Sequence, residues 1–333
     1  MKVTVLGSGS WGTTLAFVLC HNGHEVDLWT FSAEEAEWMR EKHECQFLPG
    51  IKFPPELSIS TDIEAACVER DMIVAAVPSQ FLRSVLQRIA HLDLAHTVIC
   101  NVAKGIENGS LMTMSEVLLD VLKYERKENL AILSGPSHAE EVSIKIPTMV
   151  VSASFNMKTA RFVQDAFMNE FFRVYVNEDL RGVELGGAIK NVIAIGAGLS
   201  DGAGFGDNTK AAIMTRGIYE ITRLGAKMGA QPITFAGLSG MGDLIVTCMS
   251  RHSRNRFVGE EIGKGKSVNN VLGEMKMVAE GVPTAKSVHQ LAHKHHVDMP
   301  MAEEVYKVLF EDKNPRQATL DLMGRDTRGE GAH

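Results

Sequence analysis

No two of the five cysteines (Cys20, Cys45, Cys67, Cys100, Cys248) stand in C-x-x-C spacing, and their number is odd. That excludes a disulfide framework and a cysteine zinc site, and points to packing residues in a reducing compartment. An H-E-x-x-H pattern is missing as well, so the cluster His293, His295 and His296, in a polar stretch, carries no expectation of a metal. The chain shows no charged region followed by an apolar leader core, and no apolar run reaches membrane-spanning length; a soluble cytoplasmic protein is expected. Net positive charge is lacking too: the balance is −7, which argues against a general nucleic-acid or anionic-membrane surface while leaving room for a local basic pocket. Internal repeats and low-complexity linkers are absent from the sequence, and Phe167, Phe171 and Phe172 read as core packing.

The chain's 333 residues suffice for two domains with cores of their own, and 45% hydrophobic with 23% charged residues is an ordinary globular balance. An apolar run, Val3–Leu6, feeds Gly7-Ser8-Gly9-Ser10-Trp11-Gly12, a G-x-G-x-x-G turn. Leu15, Val18 and Leu19 then recur at helical spacing until Asn22-Gly23 closes the run. Strand, glycine turn and helix in that order place backbone N–H groups and the positive helix end where a pyrophosphate binds; the bland alternative is a turn that serves packing only.

Further short β-branched runs follow: Val26–Trp29, Asp71–Val77, Thr97–Val102, Leu130–Leu133, Met149–Val151 and Val174–Val176. Separated by helical segments, they predict an α/β fold with a doubly wound, Rossmann-like, mainly parallel sheet over residues 1–180. Pro78, Lys104 and Ser137 then fall at carboxyl ends of strands, where such sheets bind ligands. From about Asp179 the period becomes helical, which predicts an all-helical domain over residues 181–333 with glycine-rich breaks at 196–206 and 237–242. The polar tail 324–333 is expected to fray.

Within the apolar stretch Glu184–Ile195 stands Lys190. Positions three and four away are Gly186, Gly187, Ile193 and Ala194, so no carboxylate on its own helix can pair with it. A buried ammonium needs a partner from elsewhere in the fold or from a ligand, unless it snorkels at a helix edge. Facing a cleft, it is a natural proton donor to a carbonyl. Lys104 is either a solvated loop residue or an anion ligand. Asp243, after Gly237-Leu238-Ser239-Gly240-Met241-Gly242, is either a ligand-facing acid or a helix N-cap. Arg251-His252-Ser253-Arg254-Asn255-Arg256 is either a solvated face or a phosphate cradle in which Ser253 caps a helix.

Six separated motifs in order make the combination specific: the glycine turn through Thr13, Ala103–Gly105, Leu133–Ser137, Gly186–Val192, Gly240–Leu244 and Ser253–Arg256. On these the chain resembles the bacterial NAD(P)-dependent glycerol-3-phosphate dehydrogenases over nearly its whole length. The resemblance implies reversible reduction of dihydroxyacetone phosphate to sn-glycerol 3-phosphate, which supplies glycerophospholipid synthesis, and a homodimer. It implies Lys190 as general acid and base. It assigns Lys104, Gly135, Ser137, Asp243, Ser253, Arg254 and Asn255 to substrate. Gly7, Gly9, Ser10, Trp11, Gly12, Phe31, Lys104, Ala139, Arg254, Val278 and Glu280 are assigned to the cofactor.

At the end of the second strand, where an acid would grip the ribose 2′-OH of NAD, stand Trp29-Thr30-Phe31-Ser32, with Asp27 earlier in the strand. With no acid there and two hydroxyls at hand, NADP and NAD are both admissible and the reading leans toward NADPH. Phe31 replaces the basic residue or histidine common in the family and weakens that leaning. Two rival readings differ in what they require. A 3-hydroxyacid dehydrogenase needs a carboxylate clamp in place of the phosphate cradle, and a non-catalytic dinucleotide sensor leaves Lys190, Asp243 and the Arg254 segment without a purpose.

Overall fold

A computed structural model describes residues 1–123, 127–326 and 329; most of the tail expected to fray, from residue 327 on, lies outside them. Strands β1 (Lys2–Leu6), β2 (Glu25–Trp29), β5 (Leu57–Ser60), β6 (Met72–Ala75), β7 (Val98–Asn101), β8 (Leu130–Ser134), β9 (Thr148–Ala153) and β10 (Phe172–Asn177) form one sheet, ordered β10-β9-β8-β7-β6-β1-β2-β5. All neighbours are parallel except β8 and β9, which run antiparallel through Ile132↔Ala153. Short β3 (Glu44–Cys45) and β4 (Leu48–Lys52) pair separately. The apolar runs are strands because both faces of the sheet are covered, so Val3, Val5, Ile73 and Val74 have no exposed side. Helices α1 (Ser10–His21), α2 (Ala33–Lys42), α3 (Ile63–Cys67), α4 (Leu82–Gln87), α5 (Met114–Leu122), α6 (Ala139–Val142) and α7 (Met157–Phe167) make the covering layers. The end of α1 is the predicted one: Asn22 is its C-cap and Gly23 has φ of +78°.

Among the described residues no strand follows β10. Helices α8 (Leu180–Gly202), α9 (Asp207–Lys227), α10 (Asp243–Met249), α11 (Arg254–Gly263), α12 (Val268–Glu274), α13 (Gly281–Lys294), α14 (Pro300–Phe310) and α15 (Pro315–Met323) pack around α8, which is buried along nearly its whole length. Asp179 starts α8 by accepting from the Gly182 amide at 2.9 Å, and its other oxygen accepts from the Gln231 amide and the Thr234 hydroxyl at 2.8 and 2.6 Å.

Two expectations are corrected here. Helix α8 is itself long and apolar enough to span a membrane by length and composition, but 94% of the relevant window is buried inside the protein. The break predicted at 196–206 is shorter than expected: α8 continues through Gly196 and Gly198 to Gly202, and only residues 203–206 separate it from α9. A Cβ on Gly198 would stand 2.0 Å from the Arg256 carbonyl oxygen, and one on Gly259 would stand 2.1 Å from that of Ile195, so the glycines let α8 and α11 pack backbone to backbone. This contact carries the first turn of α11 to the mouth of the sheet. Gly259→Val is expected to cost about 3 kcal/mol or more, because overpacked backbone has nowhere to retreat. Urea unfolding checks it, and an unchanged midpoint would refute the contact. The second predicted break, 237–242, is a π-helical turn over Leu238–Gly242 that runs straight into α10.

Candidate active site

The loops after β6, β7 and β8 open at one edge of the sheet, and α8, α10 and α11 close over them. Lys190, in the middle of α8 and 5% exposed, donates from Nζ to Asp243 Oδ1 at 2.7 Å and to Thr247 Oγ1 at 2.6 Å. Asp243 is therefore no N-cap: it is the first residue of α10 and its carboxylate faces inward. Its Oδ2 accepts from Lys104 Nζ at 2.7 Å, and Lys104 also donates to the Gly135 carbonyl oxygen at 3.0 Å. That same carbonyl accepts from Ser137 Oγ at 2.9 Å. Lys190, Asp243, Lys104, Gly135 and Ser137 thus form one connected polar chain from α8 to the sheet edge.

The charges in it are set by burial. Desolvation pulls the Lys190 ammonium down to about 8; Asp243 opposes this and Lys104 adds to it. Burial also pushes the Asp243 carboxyl up, but the two ammoniums and their hydrogen bonds outweigh it and hold it below the usual carboxylate range. One carboxylate between two cations leaves the cluster net positive, suited to an anionic or carbonyl-bearing ligand.

Around this cluster the remaining predicted residues divide. Ser253 caps α11, its Oγ accepting from the Arg256 amide at 3.2 Å. Arg254 donates one guanidinium N–H to the Val278 carbonyl at 3.0 Å, which joins the arginine segment to the predicted cofactor side. Asn255 is engaged at both ends: Nδ2 donates to Asn191 Oδ1 and Oδ1 accepts from the Gly281 amide, each at 2.9 Å. Glu280 accepts from the Ser79 amide at 2.9 Å and from the Ser79 hydroxyl, tying the start of α13 to the turn after β6. Thr247, Asn191 and Ser79 are residues that sequence reasoning missed. Thr247 had a signal, since it lies one helical turn beyond Asp243.

Two glycines of the turn are required by packing, and the third leaves the start of α1 open. Gly7 has φ of +116° and a Cβ there would stand 2.8 Å from the Ala76 oxygen; a Cβ on Gly12 would stand 2.0 Å from the Gly7 oxygen. Gly9, the N-cap of α1, faces open space. Trp11 packs its ring near Phe172 and holds Nε1 shielded from water without a hydrogen-bond partner, an orphan donor beside the helix start. Thr14 Oγ1, one turn into α1, donates to the Ser10 oxygen at 2.8 Å and lies 3.5 Å from the Ala139 oxygen, which brings Ala139 to the same place. These features fit a dinucleotide.

Phe31 stands apart, 81% exposed, with the Arg88 guanidinium 6.0 Å from its ring centre. Here the reading of an acid-free strand end needs correction. Thr30 Oγ1 donates to Glu35 Oε2 at 2.6 Å, so α2 delivers a carboxylate to that position. Ser32 Oγ, the N-cap of α2, accepts from the Glu35 amide. Of the two hydroxyls behind the leaning toward NADPH, that of Thr30 is therefore donated within the fold, while that of Ser32 keeps its O–H to donate. The histidine cluster also regroups: His293 comes together with His289 and Glu303, without His295 or His296.

A family model for the N-terminal part of NAD-dependent glycerol-3-phosphate dehydrogenase matches residues 2–160, and one for its C-terminal part matches residues 179–320. The chain belongs to the NAD-dependent glycerol-3-phosphate dehydrogenase family. Among its relatives, the glycerol-3-phosphate dehydrogenase [NAD(P)+] of Prosthecochloris aestuarii is 53% identical over 99% of this chain and 100% of that one. That of Thermoanaerobacter sp. is 49% identical over 99% of each. The crystal structure of glycerol-3-phosphate dehydrogenase from Coxiella burnetii superposes with a TM-score of 0.92 at 36% identity, covering 97% of this chain and 98% of that one. In this glycerol-3-phosphate dehydrogenase fold the glycine turn follows β1, and the buried lysine and shared aspartate join the loops after β7 and β8 through Lys104.

Proposed function

We propose that this protein interconverts dihydroxyacetone phosphate and sn-glycerol 3-phosphate with NAD(P)H, a step that feeds glycerophospholipid synthesis, and that Lys190 is its general acid and base. The observation that carries this reading is the Lys190–Asp243–Lys104 cluster at the sheet edge, with Lys190 held by two short hydrogen bonds inside the fold. NAD(P)H, when bound, supplies the hydride. Gly7, Gly9, Ser10, Trp11 and Gly12 would hold its pyrophosphate, and Phe31, Lys104, Ala139, Arg254, Val278 and Glu280 the rest of it. Gly135, Ser137, Ser253, Arg254 and Asn255 bind the triose, the arginine and the start of α11 taking its phosphate. Asp243 fixes Lys190, and Lys190 Nζ gives its proton to the alkoxide oxygen as that charge develops, then takes it back in the reverse direction. Closure of the helical part over the sheet edge keeps water from the reacting carbon. We divide the chain into a dinucleotide-binding domain, 1–180, and a helical substrate domain, 181–333, and place the enzyme in the cytoplasm as a two-fold homodimer.

The test is oxidation of NADH and NADPH with dihydroxyacetone phosphate, alongside dihydroxyacetone and hydroxyacid-type substrates. Turnover that depends on the phosphate supports the reading; equal turnover without it, or preference for a hydroxyacid, overturns it. The pH profile follows from the Lys190 ammonium, which burial brings to about 8. Ketone reduction needs the protonated form and is expected to fall as pH rises through that value, while alcohol oxidation needs the neutral form and is expected to rise. Parallel profiles in the two directions would remove Lys190 from the proton path. At the adenosine end, Glu35→Gln is expected to raise the kcat/KM ratio of NADPH over NADH about tenfold by removing a carboxylate that repels a 2′-phosphate. An unchanged ratio would show that Glu35 does not face the 2′ position.

A further inference from the structure

We infer that His138 is a further ligand of the phosphorylated triose, donating its Nε2–H to an oxygen at the phosphate end of the substrate. The inference rests on the activity proposed above. His138 lies between Ser137 and Ala139 and is the N-cap residue of α6, but its side chain makes no capping hydrogen bond. Its ring instead lies against that of His252, with centres 5.9 Å apart. His252 directly precedes Ser253 and Arg254, so the imidazole spans the gap between the loop after β8 and the arginine segment, the two places from which the substrate residues are drawn. Among the described residues nothing uses its outer nitrogen: Nε2 is shielded from water and has no hydrogen-bond partner there. Such an atom is costly to leave unsatisfied, and buried polar groups without partners are uncommon enough to need an explanation.

The surroundings favour a donor of no net charge. Burial first, and then the Lys190 ammonium, hold the His138 pKa below the ordinary imidazole range; Glu140 and Asp243 oppose this, and Lys104 adds to it. A neutral imidazole protonated on Nε2 can donate there without adding a third cation to a cluster that already holds two. The phosphate end of a ketone phosphate brings only acceptor oxygens. His138 stands against His252, two residues before Arg254, which puts it beside the start of α11, where the proposed function places the phosphate, while its electrostatic neighbours Lys190, Asp243 and Lys104 join it to the rest of the site.

The experiment is steady-state kinetics of His138→Leu and His138→Gln beside the wild type, with KM measured separately for dihydroxyacetone phosphate and for NAD(P)H. His138→Leu is expected to raise the triose phosphate KM about tenfold with the cofactor KM within about twofold of wild type, the cost of one lost donor. His138→Gln, whose amide N–H reaches the position of Nε2, is expected to recover most of that loss. Calorimetric binding of sn-glycerol 3-phosphate is expected to weaken in step. If His138→Leu does not fold, His138→Asn, whose shorter amide cannot reach, takes its place. Substrate KM unchanged, or substrate and cofactor KM raised together without rescue by glutamine, overturns the assignment. Failure of the wild type itself to turn over dihydroxyacetone phosphate would sink the proposed activity instead, so the two failures are distinguishable.

Discussion

Lys190→Ala is expected to lower kcat for ketone reduction by about three orders of magnitude, in the middle of the range for losing a positioned general acid. The KM for dihydroxyacetone phosphate is expected to move far less, because the phosphate is gripped elsewhere. The fold is expected to survive, since the substitution removes a charge that is held at a cost. The sign follows from the ammonium's position near 8, against an ordinary 10.5. The folded state favours the neutral amine, so stability rises with pH between those two values, and at neutral pH the protein carries an ammonium it would sooner lose. Stopped-flow measurement of NADH oxidation with a circular dichroism melt checks both parts. A variant that folds normally and turns over within about tenfold of wild type would show that another group supplies the proton.

Asp243→Asn is expected to have the second largest effect, and on stability as well as rate. The Asp243 carboxylate is 2% exposed and lies 2.7 Å from both Lys104 Nζ and Lys190 Nζ. An amide of the same shape leaves the buried Lys190 and the partly buried Lys104 without a countercharge. Breaking a buried pair from one side typically costs about 3–5 kcal/mol. Because the folded carboxyl is held below its ordinary value, its contribution is present above the usual aspartate pKa and is lost as pH falls through the lower folded value. The difference between wild type and variant in urea unfolding is therefore expected to shrink in acid. Lys190 also loses the bond that aims it and the charge that keeps it protonated, so kcat for ketone reduction is expected to fall about a hundredfold or more at neutral pH. A variant of unchanged stability and rate would mean that Asp243 is not the counterion of the pair.

Much of this was readable in the order of residues. The run from Val3 through the glycine turn to Asn22-Gly23 specifies strand, turn and capped helix by local rules, and each part has that form in the fold. The strand-end positions of Lys104 and Ser137 follow from a parallel sheet alone. The glycines of α8 misled for a physical reason: a glycine that permits a turn and one that admits a neighbouring backbone look alike until the neighbour is known. Gly259, on another helix, is that neighbour.

The sequence by itself determined that Lys190 lies in an apolar helix with no carboxylate a turn away, and hence that its partner is distant. Only the tertiary structure decided that the partner is Asp243, 53 residues on, that Lys104 shares it, and that Thr247 completes the cradle. The structure likewise supplied Glu35 to a strand end that reads as free of acid. Periodicity and capping are properties of neighbours in the chain, whereas the pairing of buried charges depends on which helix ends the sheet edge brings within hydrogen-bond reach.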